Sequence, residues 1–152
     1  MKKISITLFF IFTLSFIACG NVNFDPPSGF VEIKKTNNIL KLVASDASVL
    51  KVTYRENKKN GTAQFWSELL LRDLTEFKGY KLLKQEKYKE DSGHILHLKP
   101  PHKRQDFMYK ICILANEDDV FVIELGCKKS QCKKHLPSFK SLIKQIYNDE
   151  IS

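Results

Sequence analysis

The sequence predicts an α+β domain, a mostly antiparallel β-sheet with two main helices packed on it, and three observations carry that reading. β-rich runs open the chain after residue 29. A stretch with helical spacing around Trp66 interrupts them. A second group of β-rich runs then ends in an apolar helical stripe around Leu142. Strands, helix, strands, helix in that order leave a sheet as the platform on which each helix buries its apolar side.

Taken in order, residues 30–33 alternate as a strand does, and residues 39–43 and 49–54 are two more β-rich runs parted by a polar turn at Ser45 and Asp46. Lys58-Lys59-Asn60-Gly61 breaks the pattern, and the period changes. Trp66, Leu69, Leu70, Leu74 and Phe77 recur at helical spacing, with Glu68 four residues before Arg72 on the solvent side. This predicts a helix over 62–78, with Gly79 placed for a left-handed cap.

Four strands follow, over 80–89, 95–98, 107–115 and 120–125. Short turns at Asp91-Ser92-Gly93, Pro100-Pro101 and residues 116–119 suit antiparallel hairpins. In the third of these strands Phe107, Tyr109, Ile111 and Ile113 share one face, expected to be the core face. The closing helix is expected to take Pro137 in its first turn. Phe139, Leu142, Ile143, Ile146 and Tyr147 form its stripe, with Lys140 and Lys144 off it.

The N-terminus has a different character. Two lysines precede residues 4–18, which carry no charge. A bilayer-spanning helix needs about 20 apolar residues, so this run suits the centre of a secretory signal better than an anchor. It ends at Phe16-Ile17-Ala18-Cys19, which resembles a bacterial lipobox, and its Phe16 in place of leucine resembles the relaxed lipoboxes of spirochaetes. The resemblance implies that the Cys19 thiol receives a diacylglycerol and that the chain is cut before it. The alternatives are a plain secretory signal with a chance cysteine, or a short uncut anchor. The organisation expected is a signal over 1–18, a lipidated N-terminus and tether over 19–28, and one domain over 29–148.

Removing residues 1–18 of the 152 leaves 134, enough for one domain with its own core, and lowers the formal charge from +8 to +6 as Lys2 and Lys3 are lost. A basic exported domain on a lipid is expected near anionic headgroups or acidic partners, although the scattered charges also suit a plain solvated surface. Export excludes nucleic acid as the natural partner. Gly20 stands where aspartate resembles an inner-membrane retention signal in enteric bacteria, which favours the outer membrane of the cell envelope.

The order of elements resembles the PsbP-like fold, an α/β/α sandwich named after an extrinsic protein of photosystem II. It also occurs in bacterial periplasmic lipoproteins and a nuclear Ran-binding protein. Gly29-Phe30, Phe65-Trp66, Gly79-Tyr80, the strands over 109–115 and 120–125, and Phe139-Leu142-Ile143-Ile146 carry the likeness, over about residues 28–147. The resemblance implies a non-enzymatic binding or assembly module. It brings no catalytic residue, no cofactor and no role for the cysteines.

The most pointed local feature is Cys127-x4-Cys132-x2-His135. These three residues could contribute zinc ligands, with a fourth from elsewhere. Export to an oxidising space and the missing fourth ligand favour a Cys127–Cys132 disulfide instead, and unpaired thiols remain a third state. Cys112, between two isoleucines, is expected to be a buried inert thiol. His94 and His97 fall on opposite faces of a strand. Asp118 and Asp119 fall in a turn. The loop holding Lys99, His102, Lys103 and Arg104 around two prolines is the candidate partner contact, or else a rigid solvated hairpin. No nucleophile elbow, phosphate loop, zinc-protease or dinucleotide motif is present. The function expected is a lipid-anchored, non-enzymatic module that binds an envelope protein, the alternatives being a metal-binding envelope protein using Cys127, Cys132 and His135, or an enzyme whose site is dispersed across the fold.

Overall fold

A computed structural model describes residues 22–101 and 106–152. Alternating apolar residues build seven strands: β1 (Phe30–Lys35), β2 (Ile39–Ala44), β3 (Val49–Glu56), β4 (Lys81–Tyr88), β5 (Gly93–Lys99), β6 (Phe107–Ala115) and β7 (Asp119–Lys128). Helix α1 (Ala63–Arg72) follows β3, and helix α2 (Lys129–Ile146) follows β7. The strands form one sheet in the order β1-β2-β3-β7-β6-β5-β4, and every neighbouring pair is antiparallel. The last strand therefore lies at the centre, joining the three strands before α1 to the three after it.

Each helix covers one face. Phe139, Leu142, Ile143 and Ile146 of α2 pack on Leu40, Leu50, Cys112, Phe121 and Leu125. Ala63 of α1, with Leu74 just beyond its end, packs on Leu96, Leu98, Ile111 and Ile113. An α+β sandwich results, as the pattern of elements predicts. Because α1 lies over β5 and β6, the same face of β1, β2 and β3 is left open.

Four details differ from the sequence reading. β6 is buried on both faces, with Ile111 and Ile113 towards α1 and Cys112 and Leu114 towards α2, because a central strand between two helices has no solvent side. α1 is extended by a π-helical turn, Asp73–Phe77, whose wider spacing rotates Phe77 out of the stripe and leaves it 76% exposed. α2 begins at Lys129, directly after β7, so Pro137 sits inside the helix rather than in its first turn. The segment expected as a tether contributes to the core. Val22 and Phe24 are buried, and the Phe24 ring meets Phe121 edge-on at 6.1 Å.

Local chemistry sets the ends of α1. The Thr62 hydroxyl accepts from the Phe65 amide at 3.1 Å, and Gly79 takes φ +72° just past the π-helical turn. Both edge strands are guarded: the β1 pairing breaks register at Ile33 and the β4 pairing at Leu83, with lysines along each edge.

Candidate functional site, an open groove beside α1

Strand alternation prepares the site. On β3, Leu50, Val52 and Tyr54 turn inward beneath α2, so Lys51, Thr53 and Arg55 turn to the α1 side. On β7, Phe121, Ile123 and Leu125 do the same and leave Val120, Val122 and Glu124 on the α1 side. Trp66, Leu69 and Leu70 of α1 form the facing wall. Between them runs an open groove of about 510 Å³ with a mostly apolar lining, reaching Asp73 and Lys78.

The charges inside this groove are mostly paired. Lys51 Nζ lies 2.8 Å from Glu124 Oε2. The Tyr109 hydroxyl donates to the other carboxylate oxygen, Oε1. Burial, reinforced by the Glu124 charge, pushes the Tyr109 phenol far above its ordinary range, so it stays a neutral donor. Lys78 Nζ meets Asp73 Oδ2 at 2.6 Å, and that hydrogen bond raises the lysine's pKa. Arg55 has no ion pair among the described residues. The Thr53 hydroxyl oxygen is buried without a partner. Among the described residues no serine, cysteine or histidine lines the groove. What remains is an apolar wall and a guanidinium without an ion pair, which suit recognition of a chain carrying apolar and acidic side chains.

Asn57 holds the helix wall in place. Its amide Nδ2 donates to the carbonyls of Gly61 (2.9 Å) and Asn116 (2.6 Å), and its Oδ1 accepts from the Gly61 amide (2.9 Å) and the Trp66 indole (3.0 Å). One buried side chain thus ties the β3–α1 loop to the β6–β7 turn and fixes Trp66. Nothing in the sequence marks Asn57, because an asparagine before a lysine-rich turn looks like loop composition. Lys51, Thr53, Arg55 and Glu124 are equally unmarked, since they read there as ordinary polar alternation.

The residues singled out from sequence do not gather at one place. Cys19, His102, Lys103 and Arg104 lie outside the described residues. Lys99 ends β5, half-buried, and Pro101 packs beside Gly79, next to the Lys78 end of the groove. Cys127 and Cys132 are bonded, with Cα atoms 5.3 Å apart, and tie the end of β7 to the first turns of α2. His135 is turned elsewhere: its Nε2 meets Asp46 Oδ2 at 2.7 Å and its ring lies edge-on to Phe30. That hydrogen bond holds the Asp46 carboxyl well below the usual carboxylate range. Among the described residues no three His, Cys, Asp or Glu side chains are grouped to hold a metal ion. Cys112 is buried, which pushes its thiol far up. His94 and His97 do occupy opposite faces, opposite Ile113 and Lys110 in the β5–β6 register.

No family profile and no curated protein matches the chain. Solved structures do. The cyanobacterial PsbP, CyanoP, of Synechocystis matches with a TM-score of 0.56 at 13% identity, over 78% of this chain and 81% of that one. A Pseudomonas aeruginosa protein of unknown function, PA94, matches with a TM-score of 0.54 at 18% identity, over 70% and 78%. The Ran-binding protein Mog1p of Saccharomyces cerevisiae matches with a TM-score of 0.49 at 17% identity, over 82% and 84%. At these identities the first two likenesses establish a shared fold, so the chain has a PsbP-like α+β fold.

Proposed function

We propose that this chain is a lipid-anchored, exported, non-enzymatic binding or assembly module of the bacterial cell envelope. A lipid on Cys19 holds it to the membrane, the outer one by the Gly20 argument, and the groove beside α1 engages an envelope protein. The observation that carries the binding role is the groove itself. Its wall of Trp66, Leu69 and Leu70 faces a strand whose acid, Glu124, is already held by Lys51 and Tyr109. Such a site offers shape, apolar area and one cation, Arg55, that has no ion pair among the described residues. Pro101, two residues after Lys99, lies beside Gly79 at the Lys78 end of the groove. Export is supported by the bonded Cys127–Cys132 pair, which suits an oxidising compartment.

Site-specific photocrosslinking in intact cells tests the binding role. A crosslinker at Leu69 is expected to give a discrete protein adduct that Arg55→Glu abolishes, while one at Lys81 on the β4 edge gives none. Equal adducts from both positions, or none from Leu69, would count against the groove.

A further inference from the structure

We propose that the α2 face of the domain docks on an anionic phospholipid surface, so that the α1 groove points away from the membrane. Its second observation rests on the proposed lipid at Cys19; the first, charge, does not.

The first observation is charge. α2 contains Lys129, Lys133, Lys134, Lys140 and Lys144 and no acid, and Lys128 is its N-cap. All six are exposed, off the buried stripe, and none has an ion pair among the described residues. Elsewhere several exposed lysines meet acids: Lys58 with Glu56, Lys78 with Asp73, Lys87 with Asp91. Lys129, Lys133, Lys140 and Lys144 recur at i, i+4, i+11 and i+15, one stripe about 22 Å long. Lys110 lies beneath its Lys140 region, and the acid on that side of β4, Glu86, is engaged by Lys84 and His97. Lys34, Lys59, Lys81 and Lys89 are also without ion pairs among the described residues, but α2 gathers six such lysines within residues 128–144, and anionic headgroups are their complement.

The second observation is where the chain emerges. Residues 22–28 lie in the α2 layer: the Val22 amide donates to the Asn37 carbonyl, Phe24 packs on Phe121, and the Ser138 hydroxyl of α2 donates to the Ser28 carbonyl. Two residues separate Cys19 from Val22. Three Cα steps span at most about 11 Å. A lipid on Cys19 would therefore enter the bilayer close to the layer that carries the lysines. That leash is too short for a three-layer domain, each layer about 10 Å thick, to turn over. Lipid and lysines act on the same side, and an acyl anchor reinforced by a basic patch is held more firmly than either alone.

The test places a fluorophore on Ser141→Cys of α2 or on Gln64→Cys of α1 in the full protein. Each is reconstituted in phosphatidylglycerol/phosphatidylcholine vesicles containing a headgroup-nitroxide lipid. Quenching at position 141 is expected to exceed that at 64 several-fold. The difference should collapse in high salt, in pure phosphatidylcholine, and when Lys133, Lys134, Lys140 and Lys144 are all changed to Glu. Mass analysis of the N-terminus of the same preparation reads acylation separately. An acylated protein whose two probes quench alike, or whose α1 probe quenches more, overturns the docking. An unacylated protein whose α2 probe is still selectively quenched in anionic vesicles supports the docking and overturns the lipid on Cys19.

Discussion

The Asn57 side-chain oxygen accepts the Trp66 indole N–H at 3.0 Å while the same side chain spans to the Asn116 carbonyl. This contact couples the wall of the groove to the centre of the sheet. Asn57→Ala leaves the carbonyls of Gly61 and Asn116 and the indole without their buried partner. Each such loss costs about 1–3 kcal/mol, so the variant should be destabilised by roughly 3 kcal/mol. Urea unfolding should show a lower midpoint with an unchanged slope, and Trp66 fluorescence should shift to the red in the folded variant.

Phe24 decides whether the N-terminal segment is linker or core. Phe24→Ala removes a fully buried ring and should cost about 3–5 kcal/mol, whereas the exposed neighbour Asp25→Ala should change stability little. Equal, small effects at both positions would return residues 22–28 to the role of a free tether.

Acid should weaken the fold before the unperturbed carboxylates titrate. Burial lowers the pKa of His94 from 6.5, and burial together with the Lys110 charge lowers that of His97. The unfolded chain then binds protons near pH 6.5 that the folded chain refuses. Stability is full above that value and is lost as pH falls towards the folded values. The urea midpoint should drop between about pH 7.5 and about pH 5.5, where unperturbed carboxylates remain ionised. Substituting both histidines by Gln should flatten the slope in that interval, and an unchanged slope would assign it to other groups.

The Cys127–Cys132 bond closes a small loop, and in the chain-entropy model it stabilises by about 2 kcal/mol. Reduction, or the double change to alanine, should lower stability by that amount and loosen the start of α2. A thiol count on the denatured, unreduced mature protein should find Cys112 alone. Two thiols in total would mean that Cys19 carries no lipid, three that the pair is open, and four that both hold.

Strand and helix order were legible because period-2 and period-3.6 patterns alternate cleanly along the chain. The limits of that legibility have physical reasons. Periodicity cannot show that Ile111 and Cys112 are both buried, since two-sided burial depends on which strands end up central. The start of α2 is written in Cys132, Leu136, Phe139 and Ile143, at helical spacing, but Pro137 draws the eye to a later first turn. Val22 and Phe24 alternate like a strand among prolines and asparagines, and composition hides them. The groove is the least legible part. Lys51, Thr53 and Arg55 become a site only because α1 covers β5 and β6 and stops short of β3, a placement no local pattern encodes.

The claim on which location, orientation and the thiol count all depend is the lipid at Cys19. Growth with a clickable fatty acid, followed by capture of the protein and mass analysis of its N-terminus, tests it directly. Labelled protein whose first residue is an acylated Cys19 is expected, with no label in Cys19→Ser. Label retained by Cys19→Ser, or an unmodified N-terminus at another residue, would contradict it.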